Sequence, residues 1–295
     1  MAVNEIVIIS GKGGTGKTTL TASIIPFLDQ PVLADCDVDA PDLHLLLAPE
    51  LKNREEFFGT NKAEVAQGKC TACGECTEHC RFGALELTGE TPEKIHINRI
   101  KCEGCGVCEF VCPTGAIKLA PASVGEIFES ETAYGPMSHA RLIPGEETSG
   151  KLASAVRSRA KEMAEEEGRE TIIVDGSPGI GCSVISSITG ADLAIIVTEP
   201  SLSGLHDLER VYRLCQRLNV PARAVVNKWD LSPELFEKIE KFCDEEKIPL
   251  SLKIPFNRDI VQAVTHGKIP SLTEEKFYES IGFKTFITDL QRTGV

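Results

Sequence analysis

A glycine-rich stretch near the amino terminus combines the residue types and the spacing that hold phosphate. Residues 11–18 read GKGGTGKT and satisfy the pattern G-x-x-x-x-G-K-[ST] between a strand-like run and a helical pattern. Glycines let successive backbone N–H groups face phosphate oxygens, and the next helix adds favourable potential at its amino terminus. We expect Lys17 to bridge the β- and γ-phosphates and the Thr18 hydroxyl to ligate Mg²⁺. The predicted phosphate-binding residues are Gly11, Lys12, Gly13, Gly14, Thr15, Gly16, Lys17, Thr18 and Thr19.

Eight of the twelve cysteines lie in two short runs with the spacing of bacterial ferredoxin ligands. In such runs three thiolates hold one [4Fe–4S] cluster, and the fourth cysteine ligates the other cluster. The predicted ligands of the first cluster are Cys70, Cys73, Cys76 and Cys112. The predicted ligands of the second cluster are Cys102, Cys105, Cys108 and Cys80. Four cysteines also suit zinc, which is the alternative interpretation of each site.

The cysteine runs belong to an internal repeat that interrupts an alternation of strands and helices. KCTACGECTEHCRFGALEL, from Lys69, aligns with KCEGCGVCEFVCPTGAIKL, from Lys101. On both sides, continuous apolar runs alternate with helical patterns, which is typical of parallel strands covered on both faces. We therefore predict an α/β fold, with a doubly wound, mostly parallel P-loop sheet formed by residues 1–55 and 121–295. Residues 56–120 are predicted to form an inserted, ferredoxin-like α+β domain.

The remaining elements follow from the same patterns. Strands are predicted at the apolar runs that begin at Glu5, Pro31, Thr171, Leu193, Ala222 and Leu250. Helices are predicted over residues 17–28, 153–167, 206–218 and 233–245, and extended structure over residues 123–144. Residues 145–152, GEETSGKL, imitate the phosphate loop, but a leucine cannot ligate Mg²⁺ and two glutamates repel phosphate. We predict a helix start there.

A second lysine in the phosphate loop indicates a particular family of nucleotide-binding proteins. Lys12 lies on the far side of the loop from Lys17, so its side chain points away from the γ-phosphate held by its own chain. The spelling resembles the deviant Walker A motif of the MinD/Mrp/nitrogenase-iron-protein superfamily. In that family the extra lysine reaches the partner's nucleotide across a dimer interface. The resemblance implies a homodimer in which Lys12 stabilises charge in trans; a surface lysine at a loop entry is the alternative.

The same resemblance assigns roles to acidic residues at strand ends. Asp37 matches the switch I residue that orients the attacking water, and Asp35 matches one that supports the Mg²⁺ sphere. Asp175 ends a Walker B strand near Mg²⁺, and Gly179, in switch II, is expected to sense the γ-phosphate. Asp39 receives no role. The implied catalytic residues are Lys12, Lys17, Asp37 and Asp175.

The nucleotide base is assigned by resemblance as well. Asn227 and Pro255 follow strands and match the family's adenine-contacting segments. The spelling NKWD suggests guanine in other GTPases, whereas this subfamily generally uses ATP. The implied cofactors are therefore ATP and Mg²⁺, together with two [4Fe–4S] clusters.

The four remaining cysteines divide into two kinds. Cys182 follows the switch II aspartate at the offset where the nitrogenase iron protein places a ligand of its intersubunit cluster. No second ligand matches here, and a buried cysteine that starts a helix is the alternative. Cys36, Cys215 and Cys243 lie in strand-end or helical sequence and are predicted to pack in the core.

Composition limits the partners. The formal net charge is −13 without a lysine-rich tail, so we expect neither nucleic acid nor an anionic membrane surface as a partner. The carboxyl-terminal stretch FYESIGFKTFITDL lacks the basic face of a membrane-surface helix and is predicted to pack on its own domain. No apolar run is long enough to span a bilayer and no signal pattern precedes the first strand, so a cytoplasmic location is expected.

Three functions are compatible with these motifs. The first is an ATP-gated electron carrier, in which a homodimer couples nucleotide state to electron transfer through the two clusters to an unidentified redox partner. The second is a maturation factor that uses ATP to assemble or deliver an iron–sulfur cluster or another metallocofactor, with Cys182 as a bridging site. The third, a positioning ATPase on membrane or DNA, is disfavoured by the acidic composition.

Overall fold

The computed structural model describes residues 3–89 and 94–292. The predicted domain ranges also include residues 1, 2, 90–93 and 293–295, which lie outside the described residues. The strands are β1 (Asn4–Ser10), β2 (Val32–Asp35), β3 (Glu50–Val65), β4 (Leu85–Thr88), β5 (Lys94–Ile97), β6 (Ile117–Thr132), β7 (Gly135–Leu142), β8 (Thr171–Pro178), β9 (Leu193–Thr198), β10 (Ala222–Asn227) and β11 (Leu250–Ile254). The helices are α1 (Lys17–Ile24), α2 (Leu43–Leu47), α3 (Glu75–Glu78), α4 (Val107–Val111), α5 (Ser149–Glu167), α6 (Cys182–Ile188), α7 (Leu202–Arg217), α8 (Pro233–Glu246), α9 (Arg258–Thr265), α10 (Pro270–Thr273), α11 (Glu275–Ser280) and α12 (Phe283–Arg292).

A sheet of nine strands runs through the described chain in the order β11-β10-β9-β1-β8-β2-β7-β6-β3. Neighbouring strands from β11 to β7 pair in parallel. β4 and β5 form a separate antiparallel pair. The six apolar runs predicted as strands are all strands of this sheet, so the prediction of a mostly parallel α/β sheet is confirmed.

The order of the strands decides where a ligand can bind. β1 lies between β8 and β9 in the middle of the sheet, and β2 lies next to β8. Because these strands are parallel, the loops that follow β1, β2 and β8 leave the same edge of the sheet. Open parallel sheets bind ligands in the crevice at that edge.

The chain divides into two compact units. The first comprises residues 1–55, 127–141 and 149–295, and the second comprises residues 56–126 and 142–148. β3 and β6 pass from one unit into the other along the chain. The core of the second unit contains apolar residues and cysteines from both repeats: Ala63, Cys76, Ala84, Leu85, Ile95, Cys102, Cys108 and Ile117.

Three helices, α1, α5 and α7, differ from their predicted bounds by four residues at one end. α1 gives way to a 3₁₀ turn at Ile25, because Pro26 cannot donate a helical hydrogen bond. α7 begins four residues earlier than predicted, because the Ser201 hydroxyl caps it and accepts the Gly204 N–H at 2.9 Å. α5 begins at Ser149, which confirms that GEETSGKL leads into a helix. β6 and β7 confirm the extended structure predicted over residues 123–144.

The carboxyl-terminal helices complete the core of the first unit, as predicted. Tyr278, Phe283 and Phe286 are buried, and the Phe283 ring lies 4.8 Å from Tyr278 and 5.7 Å from Phe27 between centroids. Cys36, Cys215 and Cys243 are buried, which confirms their predicted packing role. Over residues 3–89 and 94–292, no helix has the length and apolarity needed to traverse a bilayer.

We predict that Phe283→Ala lowers the free energy of unfolding by about 3–5 kcal/mol, because the ring is only 2% exposed and its loss leaves a cavity. Urea titration followed by circular dichroism measures the change. Phe256→Ala is the matched control, since that ring is 41% exposed and its loss should have a much smaller effect. Equal effects of the two substitutions would contradict the packing described for α12.

Candidate nucleotide site and cysteine unit

The predicted phosphate loop connects β1 to α1 and is tied to the end of β10. Asn227 Nδ2 donates to the Thr15 carbonyl at 2.8 Å, and Lys228 Nζ donates to the Gly14 carbonyl at 3.2 Å. Gly16 has φ 94°, and a Cβ added there would lie 2.3 Å from Asn227 Nδ2. Only glycine therefore allows both the left-handed turn into α1 and this close approach.

Lys17, Thr18 and Asp175 form a compact polar group behind the loop. Lys17 Nζ lies 3.0 Å from an Asp175 carboxylate oxygen and 3.6 Å from one of Asp37. The hydroxyls of Thr18 and Thr21 donate to the two Asp175 oxygens at 2.7 and 2.8 Å. Burial alone would lower the pKa of Lys17, but the neighbouring carboxylates outweigh it and raise the pKa. The lysine is thus held as a cation beside the loop.

Asp35 anchors the start of the switch I segment. Its side chain is fully buried and accepts the backbone N–H groups of Asp37 and Leu43 at 3.1 and 3.2 Å. Burial and the nearby Asp175 raise the pKa of Asp35 well above its usual range. In this arrangement Asp35 positions the segment through its backbone, and its role toward Mg²⁺ stays a prediction.

A cavity of about 590 Å³ opens over the loop. Its volume falls in the range of small-molecule and cofactor sites. The predicted residues that line it are Gly13, Gly14, Gly16, Lys17, Thr18, Thr19 and Asp37. Sequence analysis assigned no role to the other ten lining residues, which are Ser10, Asp39, Ala40, Asp42, Leu45, Leu46, Ser177, Pro178, Ser183 and Val264. Among these, a serine directly after the Walker B segment was the one available signal.

Other predicted residues lie outside this lining. Gly179 donates its N–H to the Ser10 carbonyl at 2.8 Å, so a contact with phosphate requires this bond to break. Pro255 follows β11, next to Phe256, whose N–H donates to Asp230 at 2.6 Å. The roles assigned to Gly179, Asn227 and Pro255 toward a nucleotide stay predictions.

Lys12 makes its contacts within its own chain. Lys12 Nζ lies 2.6 Å from a Glu199 carboxylate oxygen and donates to the hydroxyls of Ser203 and Ser201 at 3.0 and 3.3 Å. The predicted contact in trans therefore requires Lys12 to leave these three groups.

In the second unit, two small cavities each border four cysteines. One is lined by Cys70, Cys73, Cys76 and Cys112, and the other by Cys80, Cys102, Cys105 and Cys108. Each set takes three cysteines from one run and one from the other. Among residues 3–89 and 94–292, no three or more His, Cys, Asp or Glu side chains form a group that could hold a metal ion. The cluster assignment therefore depends on which cysteines share a cavity.

The two repeats also share their backbone. Gly74 and Gly106 have φ 84° and 81°, and Gly83 and Gly115 have φ 58° and 60°. At the repeat-related positions Ala72 and Gly104, φ is 53° and 62°. The backbone points N–H groups at the sulfur atoms, with Ala116 N 3.2 Å from Cys112 Sγ and Ala84 N 3.4 Å from Cys80 Sγ. Such hydrogen bonds favour the thiolate, which is the form that binds iron.

Partial burial alone would raise the pKa of Cys112, but hydrogen bonds from the following backbone and from Thr114 lower it to about 7.

Cys182 begins α6 and is exposed, so the alternative that it packs in the core is wrong. Its predicted role as a ligand stays a prediction.

Together, the parallel sheet, the glycine-rich loop and the Lys17–Asp175 pair define a P-loop nucleotide-binding protein. Residues 6–270 match the family model described as the CobQ/CobB/MinD/ParA nucleotide binding domain. The chain belongs to this family, whose MinD and ParA branches are ATPases.

Individual relatives agree with this assignment. The chain is 33% identical to uncharacterized protein MJ0578 of Methanocaldococcus jannaschii, over 95% of this chain and 94% of that protein. It is 25% identical to the septum site-determining protein MinD of Bacillus subtilis, over 95% of this chain and 85% of that protein. Its fold is similar to that of MinD complexed with Mg-ADP from Pyrococcus horikoshii OT3, with a TM-score of 0.57 and 19% identity, covering 99% of this chain and 96% of that chain.

We predict a pH-dependent gain in stability from Asp37→Asn in the nucleotide-free protein. Burial raises the pKa of Asp37 to about 6; Lys17 opposes this shift and Asp175 adds to it. Because the pKa of Asp37 in the unfolded chain is about 4, folding is accompanied by proton uptake between about pH 4 and 6. The Asp37 carboxyl group therefore lowers the free energy of unfolding as pH rises through that window. The variant should melt above wild type at pH 7, and the difference should shrink as pH falls towards 4.

Differential scanning fluorimetry across this pH range measures the effect, with Glu50→Gln as a control, because that carboxylate is 76% exposed. A difference between wild type and Asp37→Asn that does not change with pH would argue against a raised pKa.

Proposed function

We propose that this protein binds and hydrolyses ATP as a homodimer and couples its nucleotide state to electron transfer, through two [4Fe–4S] clusters, to a protein partner. The observation that carries the proposal is the crosswise grouping of the cysteines, three from one run with one from the other, in each of two cavities. That grouping is the ligand pattern of two-cluster ferredoxins. Bound clusters would supply one-electron redox chemistry.

ATP and Mg²⁺ are the proposed ligands of the loop. Support comes from the family and from the solved MinD with Mg-ADP. Lys17, a buried cation paired with Asp175, is the proposed ligand of the β- and γ-phosphates, and the Thr18 hydroxyl, now bound to Asp175, is the proposed Mg²⁺ ligand. Asp37 lines the cavity and is the proposed residue that orients the attacking water.

The coupling between the two activities is proposed to begin at switch I. Asp35 holds the N–H of Leu43, the first residue of α2, and β3 follows α2 after two residues and continues into the cysteine unit. A change in the switch I segment on nucleotide binding would therefore be passed along the chain towards the cysteines. Coupling of this kind must appear as a difference in free energy between nucleotide states.

The crosswise ligand sets predict a specific pattern of iron loss. Cys70→Ser with Cys112→Ser should remove one cluster and leave about four of eight irons, because both residues serve the same cluster. Cys70→Ser with Cys80→Ser should remove both clusters, although both residues lie in the same run. Iron and sulfide analysis of anaerobically purified protein measures this. Cys215→Ser, at a buried position away from both sets, is the control and should keep all the iron.

The opposite pattern, with the larger loss in Cys70→Ser with Cys112→Ser, would mean that each run holds its own site. One zinc per run, with no iron, would replace the cluster proposal altogether.

Nucleotide coupling is tested by an anaerobic redox titration followed by EPR, without nucleotide, with ADP, and with a non-hydrolysable ATP analogue. We expect the ATP analogue, but not ADP, to shift at least one cluster potential by about 59 mV or more, which is a tenfold change for a one-electron couple. Identical potentials in all three states would contradict electron-transfer coupling. ATP-dependent transfer of a cluster to an apo-protein would then favour the role in metallocofactor assembly.

A further inference from the structure

Glu199 bridges Lys12, which belongs to the phosphate loop, and Lys228, which contacts that loop. One of its carboxylate oxygens lies 2.6 Å from Lys12 Nζ, and the other lies 3.3 Å from Lys228 Nζ. Lys228 in turn donates to the Gly14 carbonyl at 3.2 Å. Burial would raise the pKa of Glu199, but the two lysines outweigh it and lower the pKa. The bridge therefore exists with Glu199 ionised.

Hydrogen bonds fix both the backbone and the side chain of Lys12. The Ser10 hydroxyl donates to the Lys12 carbonyl at 2.8 Å and fixes its backbone. Ser201 and Ser203, at the start of α7, accept hydrogen bonds from Lys12 Nζ in addition to the ion pair with Glu199. The lysine side chain is nevertheless 31% exposed, and that of Glu199 is 23% exposed. A partner could therefore reach Lys12 without unfolding the chain.

These contacts compete with the role that Lys12 has in the proposed dimer. The Lys12 ammonium has three N–H donors, and Glu199, Ser203 and Ser201 occupy them, so a contact with the partner's nucleotide requires Lys12 to give up at least one of these contacts. In the proposed dimer this exchange takes place twice, once in each subunit.

Building on the proposed function, we infer that Glu199 is a positioning residue that holds Lys12 in cis and opposes formation of the ATP-bound dimer. The Lys12–Glu199 ion pair is exchanged for contact with the partner's nucleotide when the dimer closes. Glu199 thereby sets the protein concentration at which the closed dimer forms. Partly exposed ion pairs of this kind are weak, so the exchange stays reversible.

The test compares dimerisation of full-length wild type and Glu199→Gln by sedimentation velocity, with Mg²⁺ and a non-hydrolysable ATP analogue, over a range of protein concentrations. Two ion pairs at the strength typical of exposed pairs correspond to a dimer dissociation constant about 2- to 30-fold lower in the variant. With ADP, the two proteins should sediment alike. Ser203→Ala, which removes one hydrogen bond of Lys12 and leaves Glu199 intact, should shift the constant in the same direction by a smaller factor.

A double-mutant cycle distinguishes an effect of Glu199 that acts through Lys12 from a general destabilisation of the phosphate loop. If Glu199 acts through Lys12, then Glu199→Gln has no effect on dimerisation in a Lys12→Ala background. An undiminished effect in that background would overturn the inference, as would equal dissociation constants for wild type and Glu199→Gln. Thermal melting with ADP identifies any variant that fails to fold, and Ser203→Ala then carries the test.

The inference and the proposed function fail in different ways. Wild type that forms no dimer with the ATP analogue at any concentration would overturn both the proposed homodimer and the role of Glu199. Wild type that dimerises, with Glu199→Gln indistinguishable from it, would overturn the role of Glu199 alone. The cluster proposal is tested separately by iron content.

Discussion

Negative charge buried at the ends of two parallel strands is the constraint on which the nucleotide site depends. Asp35 and Asp175 are register partners on β2 and β8, and both side chains are fully buried. Two adjacent buried carboxylates cannot both ionise cheaply. The structure resolves this by raising the pKa of Asp35, through burial and the proximity of Asp175, and by surrounding Asp175 with Lys17, Thr18 and Thr21. Leaving Asp175 without these partners would cost several kcal/mol.

The same constraint prepares the site for a phosphate. Lys17 forms an ion pair with Asp175, and Thr18 donates a hydrogen bond to it. Lysine and threonine are also the residue types that bind nucleotide and Mg²⁺ in P-loop proteins. The Gly179 N–H and the Lys12 ammonium are likewise bound to groups of their own chain. Under the proposed function, each of these bonds is one that a nucleotide or a dimer partner would replace.

The cysteine unit shows how a repeat builds two related sites. Three repeat-related pairs have positive φ, so each run curls in the same way: Ala72 and Gly104, Gly74 and Gly106, and Gly83 and Gly115. The fourth cysteine of each run then points to the cavity of the other run. Both cavities therefore take cysteines from both repeats.

The motifs were readable from the sequence because they depend on local spacing. The glycines, lysine and threonine of the loop and the continuous apolar runs are all short local patterns, and the sheet confirmed the strands predicted from those runs. The cavity residues Asp42, Leu45, Ser183 and Val264 were not predicted, because they come from three separate helices, α2 with its N-cap, α6 and α9, that only the folded chain brings together. The cap that starts α7 at Leu202 was also not predicted, since the helical pattern was taken to begin at His206.

What the sequence determined by itself is the class of fold, the phosphate loop and the two cysteine runs, since chemistry and spacing within a run fix these. Tertiary structure decided that Asp35 is buried against backbone N–H groups and that Cys182 is exposed. It also decided that Lys12 meets Glu199, which lies on the far side of β9 in the sequence. Partners separated by such distances along the chain leave no local pattern, because their contact exists only once the sheet has set the order of its strands.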